Sequence, residues 1–159
     1  MKSPFEIAAN IHLMYVFPQL HTNRLHLRKI QVEDFPALVR YADNKKVSDN
    51  IVNIPYPFRE PDAAFRMSYV ARGFKNKTHY SFAIILKERQ EFIGEISLHL
   101  TGNQAAQLGY WVGEPFWNQG IATEAARVVL QFGFEKLELE KVIASHYRGN
   151  ESSGKVMTK

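Results

Sequence analysis

The sequence predicts an α/β (α+β) domain in which a mixed, mostly antiparallel sheet is flanked by helices. Three observations carry that prediction. Strand-like segments at Tyr80–Leu86, Phe92–Leu100 and Ala105–Val112 are separated only by the polar turns Lys87–Glu91 and Thr101-Gly102-Asn103, so they read as neighbouring hairpin strands. Ile121, Ala125, Val128, Val129 and Phe132 then recur at the helical period. A last segment, Lys141–His146, reads as a buried strand that follows that helix as a parallel partner reached by a crossover.

The remaining elements follow in order. Residues 1–16 form an N-terminal extension that packs locally or serves a partner chain; their apolar run is too short to span a bilayer, and Glu6, Asn10 and His12 spoil it as a signal peptide. Arg24 to Ile30 nearly alternates and reads as a half-buried first strand. Glu33-Asp34 opens a helix to about Tyr41, with Pro36 tolerated in its first turn. Asn53 to Phe58 is a proline-broken loop, and Pro61 starts a second helix carrying Ala64, Met67, Val70 or Ala71, and Phe74. The order is β-α-α-β-β-β-α-β-α, ending in a helix from Glu151.

With 159 residues and 45% hydrophobic content, the chain suits one globular domain. The net charge of +4 is spread along the sequence, and no basic stripe marks a nucleic-acid binder. Zero cysteines exclude disulfides, thiolate metal sites and a Cys nucleophile, and they favour a cytoplasmic address. No Gly-x-x-x-x-Gly-Lys-Ser/Thr occurs, which argues against triphosphate hydrolysis.

The most informative stretch is Gly109-Tyr110-Trp111-Val112-Gly113-Glu114-Pro115-Phe116-Trp117-Asn118-Gln119-Gly120-Ile121-Ala122. It reads as a strand, a short loop and a helix entered through glycine. Such a loop turns the N–H groups of Asn118, Gln119, Gly120, Ile121 and Ala122 towards one spot, an anion site suited to a pyrophosphate. Gly120 equally suits a plain tight strand–helix turn.

Residues 109–137 resemble the cofactor-binding motif of the GNAT N-acetyltransferase superfamily, matched by Trp117-Asn118-Gln119-Gly120-Ile121-Ala122 and Thr123-Glu124-Ala125. Asn150-x-x-Ser153-x-x-Val156-x-x-Lys159 resembles the motif that follows, and Phe17-Pro18-Gln19-Leu20-x-Thr22-x-Arg24-Leu25 is similar to the opening of the ribosomal-protein N-terminal acetyltransferase-like branch. The resemblance covers residues 17–159 and implies an acyl-CoA N-acyltransferase fold. Trp117 stands where the motif usually has Gln or Arg, so backbone donors must carry more of the pyrophosphate. The sequence stops at Lys159, where family members continue into two more strands. The expected domain is therefore short of those strands, and a second copy in a homodimer is one way to supply the edge.

The resemblance further implies acetyl-CoA as cosubstrate, a primary amine acceptor (a small molecule or a protein N-terminus), direct attack, and no metal or membrane. The pantetheine arm would lie beside the main chain of Tyr110 and Val112, in the gap where their strand diverges from Lys141–His146. The diphosphate would meet Asn118, Gln119, Gly120, Ile121, Ala122 and Thr123, and Asn150 would bond the arm. Met157 occupies the position of a thiolate-protonating Tyr and cannot do that work, which leaves Ser153 as the candidate acid. Asn150 and Ser153 also fit a helix N-cap and an exposed serine.

Glu95, mid-strand among Phe92, Ile93, Ile96 and Leu98, is the candidate general base, with Glu114 and His146 behind it; a solvent-facing Glu95 is the plainer alternative. Tyr56, Phe58, Tyr110, Trp111, Phe116 and Trp117 serve either core or pocket. The alternative function is a non-catalytic module that holds coenzyme A or a partner.

Overall fold

The computed structural model describes residues 1–145, apart from the side chains of residues 9–14. The expected positions Asn150, Ser153 and His146 lie outside the described residues.

Among the described residues the sheet has six strands in the order β1-β2-β3-β4-β5-β6. These are β1 (Leu20–His21), β2 (Leu25–Arg28), β3 (His79–Leu86), β4 (Glu91–Gly102), β5 (Ala105–Val112) and β6 (Lys141–Ala144). All neighbours are antiparallel except β5 and β6, which run parallel after the crossover through a helix. The turn between β4 and β5 is built from left-handed residues, Gly102, Asn103 and Gln104 at φ 88°, 52° and 56°.

Among the described residues the α-helices are α1 (Pro4–Tyr15), α2 (Phe35–Ala42), α3 (Lys45–Ser48), α4 (Glu60–Lys75) and α5 (Ile121–Glu135); the helix expected from Glu151 lies outside them. Asp62 accepts from the Arg59 N–H at 2.8 Å at the start of α4, with Pro61 in the first turn. Three elements go beyond the sequence expectation: the two-residue β1, the four-residue α3 and the helical N-terminal extension α1. In α1, Ser3 and Glu6 exchange reciprocal bonds, Glu6 N–H to Ser3 Oγ at 3.2 Å and Ser3 N–H to Glu6 Oε2 at 2.5 Å.

The two faces of the sheet differ in chemistry. Strand alternation puts Tyr80, Phe82, Ile96 and Leu98 on the face covered by α5, where Phe132 meets Tyr80 and Phe82 edge-on at 5.6 and 5.8 Å. The opposite face carries His79 and Ser81 on β3 and Glu95, Ser97 and His99 on β4, in register as His79↔His99, Ser81↔Ser97 and Ala83↔Glu95. That polar face lies beneath α4. A close approach sets the helix there: a side chain at Gly73 would collide with the His79 ring, 1.9 Å from Cε1.

Candidate active site

The Trp117–Ala122 turn forms where the sequence places it. Gly113 N–H donates to the Ile93 carbonyl at 2.8 Å and Phe116 N–H to the Gly113 carbonyl at 2.9 Å, so the chain leaves β5 through a short 3₁₀ turn at Glu114–Phe116. Asn118 and Gly120 then adopt left-handed conformations at φ 60° and 74°. Gly120 is the N-cap of α5 and has no side chain with which to cap it. The first-turn N–H groups of Ile121, Ala122 and Thr123 precede any intrahelical acceptor, and the helix dipole favours negative charge beside them. An Ala Cβ at residue 120 would meet only Arg24 Nη2, at 3.6 Å.

Arg24 is the residue that sequence reasoning missed here. Its Nη1 donates to the Gln119 carbonyl at 2.9 Å, while Nε and Nη2 grip Glu124 Oε2 at 2.7 and 2.6 Å. Thr22 Oγ1 and the Arg24 N–H also donate to Glu124, at 2.5 and 3.1 Å. These hydrogen bonds and the Arg24 charge hold the Glu124 carboxyl below its ordinary range, against the opposing effect of burial. A trans peptide points its C=O and N–H in opposite directions. Holding the Gln119 carbonyl towards Arg24 therefore aims the Gly120 N–H away from it. Arg24 orients the turn, and its charge is already balanced by Glu124.

The end of β5 supplies the second part. By strand alternation, the Gly113 N–H bond to β4 turns the main chain of Val112 and Tyr110 towards the opposite edge. The described pairing of that edge with β6 stops at Leu108↔Ala144. Beyond it Trp117 folds back, and its indole N–H donates to the Val112 carbonyl at 2.7 Å. The residue that replaces the usual Gln or Arg thus braces the strand end, leaving the Val112 N–H as that residue's donor to the edge. Among the described residues no contact aims a charged side chain at these main-chain donors, and a helix N-terminus of this kind suits an anion.

The third part is a cavity of about 530 Å³ on the polar face, bounded by the Asn50–Asn53 loop, α4, β4 and β5. Glu95 lies in its wall, 3% exposed. Arg66 Nε and Trp111 Nε1 both donate to Glu95 Oε2, the latter at 2.9 Å. Arg66 Nη1 also reaches the Asn53 carbonyl at 3.2 Å, tying the loop to the ion pair. Ser97 and His99 line the same cavity, joined Oγ to Nε2 at 3.0 Å.

Glu114 stands outside this group: Asn44 Nδ2 at 2.6 Å and the Lys46 ammonium bind it, and the Lys46 bond leads in lowering its carboxyl. Of the aromatic candidates, Phe58, Trp111 and Phe116 are core, whereas Tyr56 and Trp117 are exposed. Among the described residues no group of three or more His, Cys, Asp or Glu side chains is placed to hold a metal ion.

Comparison with known proteins identifies the family of the chain. Residues 24–159 match the Acetyltransferase (GNAT) domain. The chain belongs to the GNAT acetyltransferase family. It is 31% identical to the uncharacterized N-acetyltransferase p20 of Bacillus licheniformis over 141 residues, 87% of this chain and 78% of that one. In fold, this GNAT domain is similar to Mycobacterium smegmatis RimJ in complex with CoA-disulfide, with TM-score 0.79, 21% identity, and coverage of 89% of this chain and 74% of that one. It is similar also to the ribosomal-protein-S5-alanine acetyltransferase of Vibrio fischeri, with TM-score 0.76, 18% identity, and coverage of 89% and 80%.

Proposed function

We propose that the protein transfers acetyl from acetyl-CoA to a primary amine by direct attack, with the diphosphate on the Gln119–Thr123 amides and the pantetheine arm along Tyr110 and Val112. The observation that supports this best is the uncapped α5 terminus behind left-handed Gly120, held in place by Arg24, next to the point where β6 stops pairing with β5. Fixed donors of that kind need no reorganisation when charge appears on the ligand. In this reading the Val112 N–H also polarises the thioester carbonyl, Asn150 bonds the arm, and Ser153 protonates the departing thiolate.

The acceptor enters through the cavity on the polar face. Its wall holds a neutralised Arg66–Glu95 pair rather than an unpaired carboxylate, so it selects an acceptor by hydrogen bonding and shape. A protein N-terminus is the acceptor class we favour, in keeping with the fold neighbour named for a ribosomal-protein alanine. The cytoplasm is the proposed compartment, consistent with a chain that contains no cysteine.

Thiol release from acetyl-CoA, followed with peptides beginning in Ala or Ser and with a panel of small amines, tests the reading. Amine-dependent release with an N-acetylated product supports it. Acetyl-CoA binding without release under every acceptor would instead favour a module that holds the cofactor.

A further inference from the structure

We infer that His99, reached through the Ser97 hydroxyl, is the group that accepts the proton of the acceptor amine. The inference rests on the acetyl-transfer reading above and deepens it.

The geometry singles out this pair. Ser97 and His99 lie two residues apart on β4, on the face that lines the cavity, and both are partly accessible. Their cross-strand partners on β5 are Gly109 and Gln107. A side chain at Gly109 would point at Ser97, its Cβ 3.4 Å from Oγ, so glycine leaves the hydroxyl uncovered beside the edge where β6 stops pairing. Ser97 Oγ is 3.0 Å from His99 Nε2 and 3.4 Å from the Gly109 carbonyl. The Gly109 carbonyl can only accept, so the Ser97 hydroxyl donates in that longer contact; the proton relay uses the other rotamer, in which the hydroxyl turns to Nε2 and the imidazole proton sits on Nδ1.

Glu95 is less suited to the task. Among the described residues its donors Arg66 and Trp111 both fall on Oε2, and protonating the carboxylate would strand the buried Arg66 charge. The groups facing His99 are Arg66 and Tyr69 from α4, His79 from β3 and Glu95 on its own strand. Burial first, and then the Arg66 charge, push the His99 imidazole below 6.5. It is therefore neutral, and able to accept, at physiological pH.

The amine nitrogen attacks the thioester carbonyl carbon, a C–N bond forms, and the C–S bond breaks with its electron pair leaving on sulfur. The nitrogen loses a proton to Ser97 Oγ while the Ser97 proton moves to His99 Nε2. The thiolate takes a proton from Ser153, which is reprotonated by water, and the imidazolium returns its proton to solvent.

The test uses the full chain with acetyl-CoA and Ala- or Ser-initiated peptides. His99→Gln should lower kcat about 100-fold, the ordinary size of a lost proton acceptor, with acetyl-CoA affinity unchanged. Wild-type kcat should fall on an acid limb below pH 6.5, and the variant should lose that limb. Added imidazole should restore turnover to His99→Ala about tenfold, which a merely structural histidine would not allow. Ser97→Ala should slow the reaction without abolishing the limb. Wild-type turnover in His99→Gln, or loss in His99→Ala that imidazole does not reverse, overturns the assignment while leaving acetyl transfer intact. A wild-type chain that acetylates neither peptide and no small amine overturns both.

Discussion

Replacing Arg66 by Met separates a buried ion pair into its costs. The two side chains are 16% and 3% exposed, so water screens them poorly. In Arg66→Met the Glu95 carboxylate keeps one donor, Trp111 Nε1 at 2.9 Å, and loses its counter-charge. Stranding a buried charge costs about 3–5 kcal/mol. For a domain of this size 1 kcal/mol corresponds to about 2–4 °C, so the melting temperature should fall by roughly 6–20 °C. The double variant Arg66→Met with Glu95→Gln removes both charges and should recover most of that loss. Circular dichroism melting at neutral pH reads both. A single variant within about 2 °C of wild type, or a double variant no better than the single, refutes the claim that this pair braces the cavity wall.

Other outcomes follow from the same geometry. Gly120→Trp should abolish acetyl-CoA binding by calorimetry. Gly120→Ala, whose Cβ has an ordinary 3.6 Å neighbour, should cost only about 1 kcal/mol for its left-handed backbone and should still bind. Arg24→Ala should weaken acetyl-CoA binding about 3–10-fold, the effect of one lost orienting bond to Gln119. Its melting temperature should barely move, because the Arg24 side chain is 43% exposed and Glu124 keeps the Thr22 hydroxyl and the residue-24 N–H as donors. Stability should also fall on acidification. Burial, and then His99, push His79 down to about 4, so between 6.5 and about 4 the unfolded chain binds a proton that the folded chain refuses. The loss is about 1–3 kcal/mol, levels off below the folded value, and should shrink in a pH series on His79→Asn.

Much of this was legible because local chemistry and global fold agree. The turn residues at Gly102 and Asn103 and the alternation after them delimit Ala105–Val112 as the structure has it. Pro61 marks the first turn of α4, and the glycine entry marks α5. The N-terminal helix escaped because its apolar run is broken, although Ser3-x-x-Glu6 is a readable capping box. β1 has two residues and α3 has four, too few for any period to show.

The site was half legible. Gly120 announced itself through its place between strand and helix. Arg24 and Glu124 are 100 residues apart, and nothing local joins them. Arg66 and Glu95 are likewise separated by 29 positions. His79, Ser81, Glu95, Ser97 and His99 show a polar period of two, which sequence reading assigns to a wet face. Alternation fixes which face a side chain takes, and it is silent about the helix that covers that face. In sequence Trp117 reads as the loss of a polar or cationic aid to the pyrophosphate, whereas its indole N–H braces Val112 and Arg24, just before β2, orients the turn.

The central claim is that the main chain entering α5 receives the diphosphate of an acyl donor. A crystal structure of the chain with acetyl-CoA measures this directly. Diphosphate oxygens should lie within hydrogen-bond distance of the Gly120, Ile121 and Ala122 nitrogens, with the pantetheine alongside Tyr110 and Val112. A donor bound elsewhere, or a turn whose nitrogens face away from it, contradicts the account.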